Sequence, residues 1–251
     1  MLAILCGSGI DLMPFSTVRR RSLDTPYGPM SASLEWLDID GQELLVLRRH
    51  GPAHQIPPHR VNYRANLWGL YEAGARQCLA VHTVGTLDKD FPPGTVAMPS
   101  QLIDYSHGRE HSYSDGSNEL QHVEFEFPFD PPLTAEVVAA ADRADVALRV
   151  GGVYGVTQGP RLETAAEIDR LARDGCTMVG MTAMPEAGLA RELGLGYASC
   201  AVAVNWAAGR GPAGQAIHGQ IIEHSQAGFA LVAALLAVLA GQTSSSREPL
   251  P

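Results

Sequence analysis

Short apolar segments alternate with helical segments along most of this chain, and this alternation restricts the fold more than any other feature of the sequence. Leu2–Cys6 and residues 77–84 and 197–205 have the length and apolar content of buried strands. Residues 133–147 and 162–174 are predicted to form helices between further short strands. Strands that alternate with helices predict an α/β fold, with a central mixed β-sheet flanked by helices.

Polar loops follow the predicted strands, which is where folds of this class bind ligands. Two of these loops, Q-G-P-R-L-E-T at 158–164 and G-M-T-A-M-P-E at 180–186, each combine a Gly or Pro with a hydroxyl and a carboxylate. A rigid scaffold can present such polar mixtures on loops at little folding cost. Four more loops occupy equivalent positions, at residues 7–9, 48–51, 82–86 and 205–208. We therefore expect one composite site at one edge of the sheet.

Single residues in these loops leave more than one interpretation open. Ser8 could help backbone N–H groups to hold an anion, or it could belong to a simple turn. Arg49 could bind an oxyanion through two N–H groups with His50 beside it, or it could be part of a solvated charge pair. Glu163 could be a functional carboxylate or a first-turn residue favoured by the helix dipole. Asn205 could form a turn or contact a ligand.

Several common kinds of site are not indicated by the sequence. The chain lacks the G-K-[ST] ending of a P-loop and the G-x-S-x-G elbow of serine hydrolases. His107 and His111 have i,i+4 spacing, but they lack the H-E-x-x-H pattern, and we expect no metal site. The formal net charge of -9 argues against nucleic acid or an anionic membrane as a partner, because both require basic patches.

The remaining composition predicts one soluble domain over residues 1–241, followed by a disordered tail at 242–251. The apolar run at 227–240 is shorter than the ~20 residues of a membrane span, so we expect it to belong to a buried C-terminal helix. The helical pattern covers residues 217–239, where Gly228 is a candidate break. Four cysteines lie far apart without a C-x-x-C motif, at Cys6, Cys78, Cys176 and Cys200. Such spacing is typical of reduced, buried thiols in a cytoplasmic protein.

Longer segments carry a resemblance to a known family. They are G-S-G-I-D, T-P-Y-G, R-R-H-G-P-A-H-Q-I-P-P-H-R-V-N-Y-R-A-N, Q-G-P-R-L-E-T, G-M-T-A-M-P-E and Y-A-S-C-A-V-A-V-N. In these segments the chain resembles the trimeric purine nucleoside phosphorylase and methylthioadenosine phosphorylase family, over residues 4–240. The resemblance implies the nucleoside phosphorylase fold and a homotrimer with active sites near subunit interfaces. It also implies inorganic phosphate as co-substrate and no other cofactor.

The resemblance further implies which residues bind phosphate and ribose. The phosphate ligands would be the side chains of Ser8, Arg49, His50 and Thr182 and the backbone of Thr83. His82 stands where the family often has Ser or Thr, so one phosphate contact is left open. Met181 would pack against the ribose and offer its backbone N–H to a hydroxyl. His122 would reach the 5′ region of a neighbouring subunit.

The base pocket of this family divides by substrate. Members that accept adenine-type bases have aspartates where Asn205 and Ala207 stand here. The pair Asn205 and Glu163 instead resembles members that accept 6-oxopurines. A carboxylate at Glu163 accepts the N1–H of hypoxanthine, and the Asn205 amide can donate to O6 or N7 as charge develops on the leaving base. Asn205, Glu163 and His50 are accordingly the expected catalytic residues.

The 5′ end of the nucleoside sets the remaining choice. Leu162, Ile217 and Ile221 would form an apolar pocket for a methylthio group, and W-A-A-G at 206–209 resembles the branch that acts on S-methyl-5′-thioinosine. We therefore expect phosphate-dependent cleavage of that nucleoside to hypoxanthine and 5-methylthioribose 1-phosphate. If His218 points inward, inosine or guanosine becomes the better substrate. Two further functions stay open at this point: a methylthioadenosine phosphorylase, and a nucleoside-binding protein without turnover.

Overall fold

The computed structural model describes residues 1–117, 120–212 and 217–245; the side chains of residues 217, 218, 220 and 242–245 lie outside that description. The strands are β1 (Leu2–Cys6), β2 (Ser16–Arg21), β3 (Leu34–Ile39), β4 (Gln42–Arg48), β5 (Gln77–Thr86), β6 (Val96–Met98), β7 (Gln101–Asp104), β8 (Leu148–Val150), β9 (Val153–Val156), β10 (Met178–Gly180) and β11 (Gly196–Trp206). The helices are α1 (Tyr63–Glu72), α2 (Pro131–Arg143), α3 (Ala165–Arg173), α4 (Ala183–Glu192) and α5 (Ile217–Ser245).

These strands form one mixed sheet, as the sequence predicts. The order is β2-β3-β4-β1-β5-β10-β9-β7, while β11 pairs with β5 and β6, and β6 pairs with β8. β1 runs parallel to β4 and β5, and β11 runs parallel to β5, whereas β3–β4 and β5–β10 are antiparallel. An α/β domain with a mixed central sheet is therefore confirmed.

The register of the parallel strands brings their carboxyl ends together. Cys6 at the end of β1 lies opposite Arg48 of β4 and Val81 of β5. Further along β5, Gly85 lies opposite Asn205 of β11. The loops that follow these strands consequently share one edge of the sheet.

Helices cover both faces of the sheet because the strands are apolar on both sides. In β1, Ile4 faces a core formed with α2 and α5, whereas Leu5 faces a core formed with α1 and α4. Successive strand residues point to opposite faces, so this short strand contributes to both cores at once. Near-continuous burial of this kind is typical of parallel strands covered on both sides.

The last helix differs from its prediction in length and continuity. α5 passes Gly228 without a break. A Cβ at this position would lie 2.3 Å from Cγ1 of Val202, so the glycine allows the helix to approach β11 closely. By length and composition alone Ile221–Gly241 could cross a membrane, so the expectation of a shorter run was wrong. One face of α5, which includes Phe229 and Leu236, is nevertheless buried in the core. The helix ends four residues inside the segment predicted as a tail, and the domain boundary stays a prediction.

Candidate functional site

A cavity of about 430 Å³ opens at the edge of the sheet where the parallel strands end. Each of the six loops singled out in the sequence contributes to its wall. Most of the predicted site residues line it, namely Ser8, Arg49, His50, Thr83, Leu162, Glu163, Met181, Thr182, Asn205, Ala207 and Ile221. The six loops therefore form one composite site.

Three predicted residues do not join this wall within the described structure. His122 is exposed on a loop and does not line the cavity of its own chain. The side chains of Ile217 and His218 lie outside the described residues, so their predicted contacts stay predictions. In the described ranges, His107 and His111 belong to no group of three potential metal ligands.

The end of β4 places Arg49 in the cavity wall, where only 1% of the residue is exposed. Its Nε donates to Oε1 of Glu186, and its Nη2 donates to Oε2 at 3.1 Å. The remaining bonds reach the carbonyls of Val81, from Nη1 at 3.1 Å, and Leu5, from Nη2 at 3.0 Å. The two-pronged grip that the sequence suggested for an oxyanion is thus directed to Glu186. An anion in the cavity meets the charge of Arg49 and one spare N–H on Nη1.

His50 lies beside Arg49 with its ring held by the following loop. Its Nδ1 donates to the carbonyl of Ile56 at 2.7 Å. Burial lowers the pKa of His50 to about 4, and the neighbouring Arg49 charge adds to this. The ring is therefore neutral at pH 7, and its Nε2 is a free acceptor.

His54 also lines the cavity, although the sequence did not single it out. Its Nε2 lies 3.4 Å from Oγ of Ser8, and its ring centroid is 4.7 Å from that of His50. A backbone φ of 54° places it in the left-handed region, which non-glycine residues rarely occupy. Backbone strain of this kind often accompanies functional sites, but no sequence pattern marked it here.

His82 stands behind the wall and does not line the cavity, which answers the question that the sequence left open. Its ring is 2% exposed, with Nδ1 2.9 Å from Oγ1 of Thr182 and Nε2 3.1 Å from Oη of Tyr197. Tyr197 in turn donates to Oε2 of Glu186 at 2.8 Å. His82 therefore reaches a ligand only through Thr182.

Glu163 is presented by a loop rather than by a helix. α3 begins at Ala165, and Thr164 caps it together with Glu167 in a reciprocal capping box. The first-turn interpretation of Glu163 is therefore wrong. Its Oε1 instead accepts the Thr157 hydroxyl at 2.5 Å, which leaves Oε2 without a hydrogen bond among the described residues.

Asn205 owes its position to a bulge in β11. The register with β5 shifts between Ala203 and Asn205, and such a bulge re-aims the side chains that follow it. The amide nitrogen donates to the carbonyl of Trp206 at 2.8 Å, and the residue is 7% exposed. One N–H and the amide oxygen are left for a ligand in the cavity.

Arg109 is a further site residue that sequence reasoning missed. Its guanidinium is buried, and its Cζ lies 5.5 Å from the centroid of the Tyr63 ring. Its four strongest hydrogen bonds go to the carbonyls of Met181 at 2.8 Å, Met184 at 2.6 Å, Thr157 at 3.2 Å and Gln158 at 2.9 Å. One side chain thus joins the backbones of the two loops that carry Glu163 and Thr182. A single arginine in a polar loop gives no sequence signal for such a role.

We expect Arg109→Lys to lower the free energy of unfolding by about 1–3 kcal/mol, because an ammonium group cannot serve four carbonyls in a plane and leaves buried acceptors unpaired. Denaturant unfolding measures this, with Arg143→Lys on the exposed face of α2 as the matched control. Equal stability of the two variants would contradict the assigned role.

The neutral state of His50 predicts an acid-sensitive stability. Its folded pKa of about 4 lies below the ordinary value of 6.5, so its contribution is complete above pH 6.5 and is lost as the pH falls toward 4. His82, whose pKa burial also lowers, adds to the same loss. Between pH 6.5 and pH 4, the free energy of unfolding is expected to fall less in His50→Gln than in the unmodified protein, because the variant has no ring to protonate. Unfolding experiments at a series of pH values measure this. His107→Gln, at an exposed position, is the control, and parallel curves for the His50 variant and the unmodified protein would refute the assignment.

Comparisons with known proteins agree in family and in fold. The sequence profile described as the Phosphorylase superfamily matches residues 1–238. A probable S-methyl-5′-thioinosine phosphorylase of Xanthomonas campestris pv. campestris is 44% identical over 241 residues, which is 95% of this chain and 96% of the relative. The 6-oxopurine nucleoside phosphorylase of Pyrococcus furiosus is 37% identical over 232 residues, 90% of this chain and 86% of the relative. A methylthioadenosine phosphorylase from Schistosoma mansoni, solved with adenine, superimposes with a TM-score of 0.88 at 29% identity, covering 98% of this chain and 92% of its own.

Proposed function

Because this chain belongs to the phosphorylase superfamily, we propose that it cleaves S-methyl-5′-thioinosine with phosphate, releasing hypoxanthine and 5-methylthioribose 1-phosphate. The observation that carries this proposal is the pairing of the Glu163 carboxylate with the Asn205 amide on the wall of one cavity. The named relatives from Xanthomonas and Pyrococcus support a 6-oxopurine nucleoside as the substrate.

The base half of the cavity favours hypoxanthine over adenine for a simple chemical reason. The Thr157 hydroxyl holds one oxygen of Glu163, so the other can accept the N1–H of a 6-oxopurine. Adenine presents an unprotonated N1, which would face the carboxylate with a lone pair. A buried polar group left unpaired in this way can reject an analogue strongly. Asn205 is then placed to donate to O6 or N7.

The phosphate half is built around Ser8, His50, Thr182 and the backbone of Thr83, with the charge of Arg49 behind them. Because the chain carries a net charge of -9, an anion has to be bound by local, fixed donors such as these. Thr182 precedes α4 without capping it through its side chain, so its hydroxyl is not committed to the helix.

The reaction follows from these two halves. Phosphate attacks C1′ of the ribose as the bond to the base breaks, so positive charge develops on the sugar and negative charge on the purine. Bound phosphate stabilises the former, and Asn205 stabilises the latter through O6 or N7. Glu163 holds the base by its N1–H, and His50 helps to position phosphate. Positioning and fixed electrostatics supply most of the catalysis.

The 5′ end decides between two nucleosides. Ile221 and Leu162 line the cavity and favour an apolar methylthio group, with Ile217 as a third predicted member. Ser225 lies one helical turn beyond Ile221 and also lines the cavity, and its hydroxyl favours a 5′-hydroxyl. Inosine or guanosine is therefore the second candidate substrate, and an inward His218 would add to this preference.

The resemblance also implies an oligomeric state and a co-substrate for this protein, and the cysteines indicate a location. We infer a homotrimer in which the exposed His122 reaches the 5′ region of a neighbouring cavity. A cytoplasmic location is supported by the four cysteines, which are all free and buried. Inorganic phosphate serves as co-substrate, and the proposal assigns no further cofactor.

The direct test compares release of base from S-methyl-5′-thioinosine, inosine and methylthioadenosine with and without phosphate. Fastest phosphate-dependent release from the first supports the proposal, and fastest release from inosine supports the second candidate. No release from any purine nucleoside would leave a binding protein without turnover. Preference for methylthioadenosine would overturn the argument from the base pocket.

Glu163→Gln is expected to lower kcat/KM for hypoxanthine release roughly 10- to 100-fold, because the charged acceptor for N1–H is lost. Steady-state kinetics measure this. Glu136→Gln, the same change on the outer face of α2, is the control and is expected to leave kcat/KM unchanged. A Glu163 variant as active as the control would remove Glu163 from the base pocket.

Asn205→Asp is expected to raise the ratio of adenine to hypoxanthine released, because a protonated carboxyl can donate to N7 through its O–H and accept from the 6-amino group through its carbonyl oxygen. Both bases are quantified in the same protein with methylthioadenosine and S-methyl-5′-thioinosine in competition. An unchanged ratio would mean that Asn205 does not contact the base.

A further inference from the structure

A chain of buried hydrogen bonds lies behind the phosphate half of the cavity. It runs from Glu186 through Tyr197 and His82 to Thr182, and of these four it is Thr182 that lines the cavity. The links are 2.8 Å from Tyr197 Oη to Glu186 Oε2, 3.1 Å from His82 Nε2 to Tyr197 Oη, and 2.9 Å from His82 Nδ1 to Thr182 Oγ1. Each of the four residues is at most 6% exposed, so none of the links competes with bulk water.

The direction of this chain is set at Glu186. Its two oxygens accept from Arg49, and Oε2 also accepts from the Tyr197 hydroxyl, so each of these contacts presents a donor. Burial raises the pKa of Glu186, but the Arg49 charge and these donors oppose that rise and favour the carboxylate. A carboxylate has no proton to give. The Tyr197 proton is therefore committed to Glu186.

The same logic continues through the histidine. Burial holds the pKa of His82 well below 6.5, with Arg49 adding to the shift, so the neutral ring carries one proton. The Tyr197 hydroxyl already donates to Glu186, so its oxygen can only accept from the ring. The single ring proton of His82 is therefore on Nε2, which donates to Oη of Tyr197. Nδ1 is then bare, and the hydrogen bond at 2.9 Å requires Thr182 to donate. Tyr154 packs edge-on against the ring at 5.5 Å between centroids and fixes its plane.

We infer that His82 is a positioning residue that commits the Thr182 proton to the protein interior, so that Thr182 offers only oxygen lone pairs to an anion. This inference rests on the proposed function, in which that anion is phosphate. Phosphate and arsenate keep at least one O–H group at neutral pH, and this group can donate to Thr182. Sulfate carries none, and its oxygen would meet a lone pair. The site therefore selects a protonated oxoanion.

The test compares the Ki of sulfate, as a competitor of phosphate, with the KM for phosphate in nucleoside phosphorolysis at pH 7. In the unmodified protein we expect a Ki at least tenfold larger than the KM. His82→Phe keeps an aromatic ring but removes both nitrogens, so the Thr182 hydroxyl can turn and donate. The ratio of Ki to KM is then expected to fall threefold or more. His82→Asn, whose side-chain oxygen can take the place of Nδ1 as acceptor, is expected to restore most of the ratio.

A purely structural role for His82 would change kcat or stability in both variants without moving this ratio. Equal competition by sulfate and phosphate in the unmodified protein, or an unchanged ratio in His82→Phe, would overturn the inference. Should His82→Phe not fold, Thr182→Val is the second test. Loss of the hydroxyl is expected to raise the KM for phosphate and to lower the Ki of sulfate. Failure of the proposed function is a separate outcome, seen as no release of base. Calorimetric titration with phosphate and with sulfate would then measure the selectivity directly, and equal affinities would refute it.

Discussion

The buried ion pair between Arg49 and Glu186 is the interaction on which the site depends. It joins the end of β4 to α4 across the sheet, and Arg49 also donates to the carbonyls of Leu5 near the end of β1 and Val81 within β5. Removal of one partner from such a pair typically costs about 3–5 kcal/mol, since the other charge stays buried and unpaired. The pair contributes more than stability here. It places one fixed positive charge behind the phosphate half of the cavity and sets the proton positions of its neighbours.

Burial, together with that charge, explains why His50 and His82 are neutral. Burial lowers the pKa of both His50 and His82, and in each case Arg49 adds to the shift. The positive charge at this wall is therefore held by Arg49 and is not spread over the rings. His50 and His82 act as hydrogen-bonding groups with defined donor and acceptor atoms. The protein as a whole carries a net charge of -9 and does not attract anions. The buried guanidinium of Arg49 acts only on an anion that is already in the cavity.

The parts of the site that sequence could predict are those marked by local patterns. Strand ends followed by Gly, Pro and polar residues identified the six loops, which the structure brings to one cavity. The assignment of Glu163 and Asn205 to the base came from the family resemblance and stays a prediction. Sequence reasoning did not predict the roles of Arg109 and Tyr197, or that Arg49 binds Glu186. These roles come from contacts between residues far apart in the chain; Arg49 and Glu186 are 137 residues apart. The sequence indicated that Arg49 could bind an oxyanion through two N–H groups, and it does bind a carboxylate in this way. No local pattern indicates whether that group belongs to a ligand or to the protein core. The role of Gly228 in α5 likewise comes from its close approach to Val202, which no helix pattern contains.

Under the proposed function, the two halves of the cavity share one mode of recognition, in which acceptors in the wall require a proton on the ligand. Glu163 presents a carboxylate oxygen where a 6-oxopurine has N1–H and an adenine has a lone pair. In the same proposal, Thr182 presents an acceptor where phosphate has an O–H group and sulfate has none. Charge alone could not make either distinction, since phosphate and sulfate are both anions and the two purines are both neutral. Discrimination by proton position needs acceptors that cannot rotate or titrate. The Thr157 hydroxyl provides this for Glu163, and the buried chain that ends at Glu186 provides it for Thr182. The rigidity of this polar wall is thus a condition of its selectivity, and the Arg49–Glu186 pair is where that rigidity begins.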